Sequence, residues 1–239
     1  MKNIKKILLC CVCVAAIVGG TVLATLAYLT DTSEAVNTFT VGDVDIEVDE
    51  EKVNPDGTPT EEDDDRVQEN NYHLLPGQTY LKDPTMTVKA GGEDSYVRMI
   101  LVIHNHDDVQ PIVDKHLGGD YASLLGEWDS DTWRYIGFTE NSTDNTISFE
   151  FRYYNVDEKT AIVPASDEDQ VLVPLFQQLI IPATINGDEL ATLYGVAGIG
   201  GDDFRMTVMG HAIQASGFAD EDEAWAGFDA QKAFEEQNP

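Results

Sequence analysis

The sequence predicts an all-β protein, a jelly-roll-like antiparallel β-sandwich with a few short helices, and three observations carry that expectation. Apolar and polar residues alternate with period two over many short stretches. Turn-forming groups punctuate them at Pro55-Asp56-Gly57, Pro76-Gly77, Gly91-Gly92, Asn186-Gly187 and Gly200-Gly201. Helical periodicity is confined to a few places. About eight to ten short strands with such punctuation describe a sandwich or jelly roll.

The chain does not begin with a strand. Lys2, Lys5 and Lys6 precede 21 uncharged residues, Ile7 to Ala27. Their strongly apolar part, Ile7–Val18, has the length of a signal-peptide core and falls short of the roughly 20 residues a membrane span needs. Gly19-Gly20 then breaks the helix, and Thr25 and Ala27 place small residues at −3 and −1 of a cleavage before Tyr28. Residues 1–27 are thus expected to be a signal peptide and 28–239 a single β-sandwich domain. The alternative is an uncleaved anchor with its lysines inside.

Cysteine and charge agree with export. All three cysteines, Cys10, Cys11 and Cys13, lie inside the signal. The 212 residues left of the 239 are long enough to bury a core without disulfides. They keep 11 of the 14 Lys/Arg and all 44 Asp/Glu, a net charge of −33. Such a chain is repelled by phosphate backbones and anionic lipid, which excludes nucleic acid as a partner and stable membrane association after cleavage.

The elements follow in order. In Asp43–Asp49 the acids Asp43, Asp45, Glu47 and Asp49 alternate with Val44, Ile46 and Val48, one face to solvent and one to a core. The acids lack the spacing and glycine of an EF-type loop, so a solvated strand face is expected, binding divalent cations weakly and non-specifically. Residues 50–71, "EEKVNPDGTPTEEDDDRVQEN" and Asn71, are acidic and nearly free of apolar residues, and read as a mobile loop. Met86 and Val88, then Ile147, Phe149, Phe151 and Tyr153, then Phe204, Met206 and Val208, mark further alternating strands. Tyr96–His104 is apolar on both faces except at Arg98, as in a central strand covered on each side. Thr132–Phe138, Thr160–Val163, Gln170–Leu175 and Leu179–Ile185 are additional candidates. Asp188–Tyr194 and Tyr121–Leu125 are expected as short helical turns, and 219–237 as a terminal helix with an acidic first turn.

The sequence contains no H-E-x-x-H, no G-x-S-x-G and no cysteine outside the signal to act as nucleophile. The nearest approach to a metal set is His104 and His106 at i,i+2 with His116 beyond them, but an exposed strand end in "HNHDD" accounts for these residues without zinc. Glycine-rich "GVAGIGGDD" at 195–203 lacks the Lys-Ser/Thr ending of a phosphate loop. No catalytic residue, cofactor site or dedicated metal site is assigned.

A lysine-headed signal ending in "GGTVLATLAYLTD", followed closely by "NTFTVGDVDIEV", resembles the TasA/camelysin family, exported proteins of Gram-positive bacteria processed by a dedicated SipW-type signal peptidase. The resemblance continues more loosely through "LLPGQTYLKDPTMTVKAGGEDSYVRMILVI" (74–103) and "DFRMTVMGHAIQASGF" (203–218). It implies a jelly-roll fold, export, the signal peptidase as a processing partner, and assembly into cell-surface or biofilm-matrix fibres with copies of itself or related subunits. Residues 28–39 would be a donor strand freed by cleavage, with Val36, Phe39 and Val41 as its apolar residues for assembly. The rival expectations are a non-polymerising surface adhesion module and a camelysin-type metallo-endopeptidase.

Overall fold

Period-two alternation builds thirteen strands among the described residues, as the side-chain pattern requires. The computed structural model describes residues 30–32, 39–41, 43–60, 66–126, 128–193 and 204–237. Among them the strands are β1 (Thr30–Thr32), β2 (Phe39–Val41), β3 (Ile46–Glu51), β4 (Arg66–Val67), β5 (Thr79–Leu81), β6 (Thr85–Val88) and β7 (Ser95–His104). They continue with β8 (Trp133–Asn141), β9 (Thr146–Tyr153), β10 (Ile162–Val163), β11 (Gln170–Val171), β12 (Gln178–Ile180) and β13 (Met206–Gln214). Three helices accompany them: α1 (His106–Leu117), α2 (Gly187–Leu193) and the C-terminal α3 (Glu221–Gln237). A 3-10 turn spans Tyr121–Leu124.

The strands form mostly antiparallel sheets. A seven-stranded sheet runs β1-β2-β13-β7-β9-β8, with β10 joining β7 beside Ser95 and Tyr96. A four-stranded sheet runs β11-β6-β3-β4, and β12 pairs β5. The main core combines Val44, Ile46 and Val48 with Met86 and Val88 from the smaller sheet, and Met99, Leu101, Phe151, Val208 and Ala212 from the larger. The alternation read over 43–49 and 147–153 is therefore the inward face of each strand. Phe149 and Met206 are only partly buried, packing against the main core and a second cluster together. The sheets approach most closely at Gly210 of β13, where an added Cβ would lie 2.5 Å from Val48 Cγ2 and 2.9 Å from Met86 Cε.

β7 is covered on both faces, as its sequence predicts. Its inner residues meet the smaller sheet, while Tyr96 joins Ile213, Ala224, Trp225 and Phe228 under α3. α3 starts where Asp220 Oδ1 accepts the Glu223 N–H at 3.0 Å and Glu223 Oε2 accepts the Ala219 N–H at 2.7 Å. α2 is capped in the same way: Asn186 Oδ1 accepts from the Asp188 and Glu189 N–H groups.

Two regions depart from the sequence reading. His104 ends β7 as expected, but the rest of "HNHDD" turns at once into a helix: Asn105 adopts φ 57°, and His106 begins the twelve-residue α1. Asparagine tolerates that left-handed conformation, and Asp107 and Asp108 favour the helix N-terminus electrostatically. Pro111 inside the helix hides it from a sequence reading, although Val109, Ile112 and Val113 form a buried stripe. The acidic stretch 50–71 is more than a loop. Glu50 and Glu51 complete β3, where buried Glu50 meets Lys82 Nζ at 2.5 Å, and Arg66 of β4 reaches Asp49 at 2.5 Å and Asp83 at 3.0 Å. Gly57, at φ 79°, lets the intervening turn lie directly on Tyr80.

Candidate assembly edges

The large sheet has two ends, and they differ in what covers them. At one end β2 lies parallel to β13, with Phe39 opposite His211, Thr40 opposite Ala212 and Val41 opposite Ile213. β1 then folds back antiparallel on β2, Thr30 opposite Val41 and Thr32 opposite Phe39. Phe39 and Val41, singled out for assembly, are thus paired within their own chain's sheet, between β13 and β1. Thr25, Ala27, Tyr28 and Val36 lie outside the described residues, as does the whole signal segment.

Beneath this covered end sits a charged cluster that the sequence reading did not find. Arg98 is 3% exposed. Its guanidinium donates to Asp229 Oδ1 at 2.5 Å and Oδ2 at 3.3 Å, and reaches Glu150 Oε1 at 3.5 Å. It also lies 4.4 Å from the centre of the Trp225 ring and 5.0 Å from that of Phe228. Arg98 Nε donates to His211 Nδ1 at 3.1 Å, so the imidazole is held neutral as an acceptor. Burial, then the adjacent Arg98 and Lys232 charges, hold the His211 pKa well below its ordinary value. The cluster fastens α3 to β7, β9 and β13; the one cue in the sequence is a lone arginine inside an apolar strand.

The other end, β8, is bare. Among the described residues it pairs only with β9. Tyr135 is 41% exposed, Ile136 42% and Phe138 59%. The ladder slips between Tyr135 and Gly137, leaving Ile136 as the extra residue of a bulge. Tyr135 opposes Phe151, with ring centroids 5.6 Å apart, and Phe138 opposes Phe149 at 6.3 Å. Both rings are therefore on the core side of the sheet, at its uncovered rim.

The three candidate histidines do not converge. His104 Nε2 lies 3.1 Å from Thr207 Oγ1, while its Nδ1 faces Arg205 at 3.0 Å. Burial and that arginine lower its pKa. His106 Nδ1 lies 3.1 Å from the Tyr121 hydroxyl. His116 sits between Thr184 Oγ1 at 2.7 Å and Glu189 Oε2 at 2.9 Å. Glu189 is held down to about 2, chiefly by the Asn186 N–H and then by Lys115 and His116. Among the described residues no three His, Cys, Asp or Glu side chains are grouped as a metal ion requires. On the outer face of β3, Glu47 is paired with Lys89 at 2.6 Å and Asp49 with Arg66, leaving Asp43 and Asp45 as the exposed acids.

No helix of the described residues is long and apolar enough to cross a membrane. No family model, curated protein or solved structure matches the chain.

Proposed function

We propose that the chain is an exported structural protein, a subunit or accessory component of cell-surface or biofilm-matrix fibres, built on a jelly-roll-like sandwich. The observation that carries this reading is the pairing of β2 with β13. A three-residue parallel strand near the end of the sheet, carried together with β1 on a segment that begins beside the expected cleavage point, makes a contact that a second copy can reproduce bond for bond. Exchange of residues 28–41 between copies costs the backbone no hydrogen bonds and converts a closed monomer into an open chain. Before cleavage by a SipW-type peptidase the segment is tethered; afterwards it is free to exchange. The net charge of −33 after removal of 27 residues keeps released copies apart until a specific edge contact forms.

Two measurements test the reading. Intact mass of the released protein should correspond to residues 28–239. Electron microscopy should then show filaments, and deletion of residues 28–41, which removes β1 and β2 together, should abolish them while the shortened chain keeps a cooperative thermal transition. Filaments forming at the wild-type rate from the shortened chain would rule out strand exchange.

A further inference from the structure

We propose that the β8 edge is a second self-association surface, at which two copies join antiparallel about a two-fold axis into one continuous sheet. It lies at the end of the sheet remote from β13 and does not depend on strand exchange.

The strand is nine residues long, and its apolar residues are among the most exposed large ones described. Long apolar edges invite pairing unless something blocks them. Lysine and proline, the usual edge blockers, are absent from Trp133–Asn141.

The bulge selects the register. Residues directly opposite across an antiparallel pair project on the same face. On β8, Tyr135, Phe138 and Glu140 oppose Phe151, Phe149 and Ile147, which lie on the core side. Arg134 and Thr139 oppose Arg152 and Ser148 on the other side, where Arg134 also pairs with Glu221 of α3. An axis through Gly137 would set Arg134 against Glu140 of the second copy, but the two project on opposite faces. An axis between Ile136 and Gly137 matches every face. It sets Tyr135 against Phe138 of the second copy, Arg134 against Thr139, and bulged Ile136 against the glycine. Each aromatic pair occurs twice by symmetry, as an isologous contact demands.

This self-complementarity argues for a second copy over a foreign strand. Charge does too: a chain of −30 repels itself almost everywhere, whereas Trp133–Asn141 carries only Arg134 and Glu140. In the matched register neither faces a like charge.

The test is sedimentation velocity on the chain as its cells release it, with hydrogen–deuterium exchange at low and high concentration. Below the concentration at which filaments form, a dimer is expected, strengthened by sodium chloride as the −33 charge of the released chain is screened. Phe138→Lys should weaken it by at least about tenfold, because the charge would be desolvated against Tyr135 of the other copy. Val171→Lys, at a residue 70% exposed on β11, should dimerise as wild type. Because Phe138 is exposed, the melting temperature should barely move. In the unmutated protein, residues 133–141 should gain exchange protection in the dimer while 206–214 do not, a readout independent of any folding defect. A wild type that stays monomeric in salt, dimerisation undiminished in Phe138→Lys, or protection at 206–214 in place of 133–141 would overturn the proposal. Filaments with an unprotected β8 sink this interface and leave strand exchange standing; dimers without filaments do the reverse.

Discussion

The two ends of the large sheet meet the same physical problem with opposite means. At β13 the unpaired backbone groups are covered by a three-residue strand from the chain's own N-terminus, and the side chains there are small or buried: Gly210, Ala212, Ile213. At β8 nothing described covers the edge, and a bulge with an aromatic rim takes the place of a cover. In the proposed exchange a strand that covers one copy's β13 could cover another copy's equally well. A bulged edge is permanent and can only be matched by something with the same irregularity. One end is thus suited to exchange, the other to symmetric pairing.

The sharpest way to separate depth from edge position is to compare two phenylalanines. Phe151, one strand in from β8, is 3% exposed, whereas Phe138 on β8 is 59% exposed. Phe151→Ala should cost about 3–5 kcal/mol by thermal or urea unfolding. Phe138→Ala should cost under about 1 kcal/mol, in line with ordinary surface substitutions. Comparable losses would mean that the β8 rim is as tightly packed as the core.

At the covered end, Gly210→Val should destabilise by about 1–3 kcal/mol, because its Cβ meets Val48 and Met86 and the sheets must separate. Unfolding with an unchanged denaturant midpoint would show that the interface there is loose. Since β13 carries the β2 pairing, residues 39–41 should also exchange faster in that variant.

His211 gives this end a pH dependence. Its folded pKa lies well below the ordinary 6.5 of the unfolded chain. The unfolded state therefore binds the extra proton in the window between those values, and stability falls as pH drops from about 6.5 toward the folded value. Above that window the contribution is fully present. Protonation would set a third cation beside Arg98 and Lys232, with Asp229 and Glu150 as the facing acids. His211→Asn keeps an acceptor for Arg98 Nε and removes the titration. The wild-type-minus-variant difference in melting temperature should fall as the pH is lowered through the window. A difference independent of pH between 7 and 4 would refute the assignment; protonation of the 44 acids, common to both proteins, cancels in the subtraction.

The smallest effect concerns cations. With Glu47 and Asp49 already paired to Lys89 and Arg66, calcium should act on this chain mainly by screening. Melting temperatures in calcium chloride and sodium chloride at matched ionic strength should agree within about 2 °C. A saturable shift at micromolar calcium would reveal a built site.

Local rules read along the chain were enough for much of this architecture. Val44, Ile46 and Val48 announce their inward face by alternation, Tyr96–His104 its double cover by apolarity broken only at Arg98, and the terminal helix its start by an acidic first turn. Each depends on neighbours within a few residues. What stayed hidden depends on partners far along the chain. Glu50 reads as a loop acid until Lys82, 32 residues on, is beside it. Arg98 reads as an oddity until Asp229, 131 residues on, and His211 close round it. α1 is concealed by Pro111 and by an asparagine whose left-handed turn no periodicity reports. That Tyr135 and Phe138 form a rim, and Phe39 a cover, follows from strand order alone, because alternation tells which way a side chain points but not which strand stands last in the sheet.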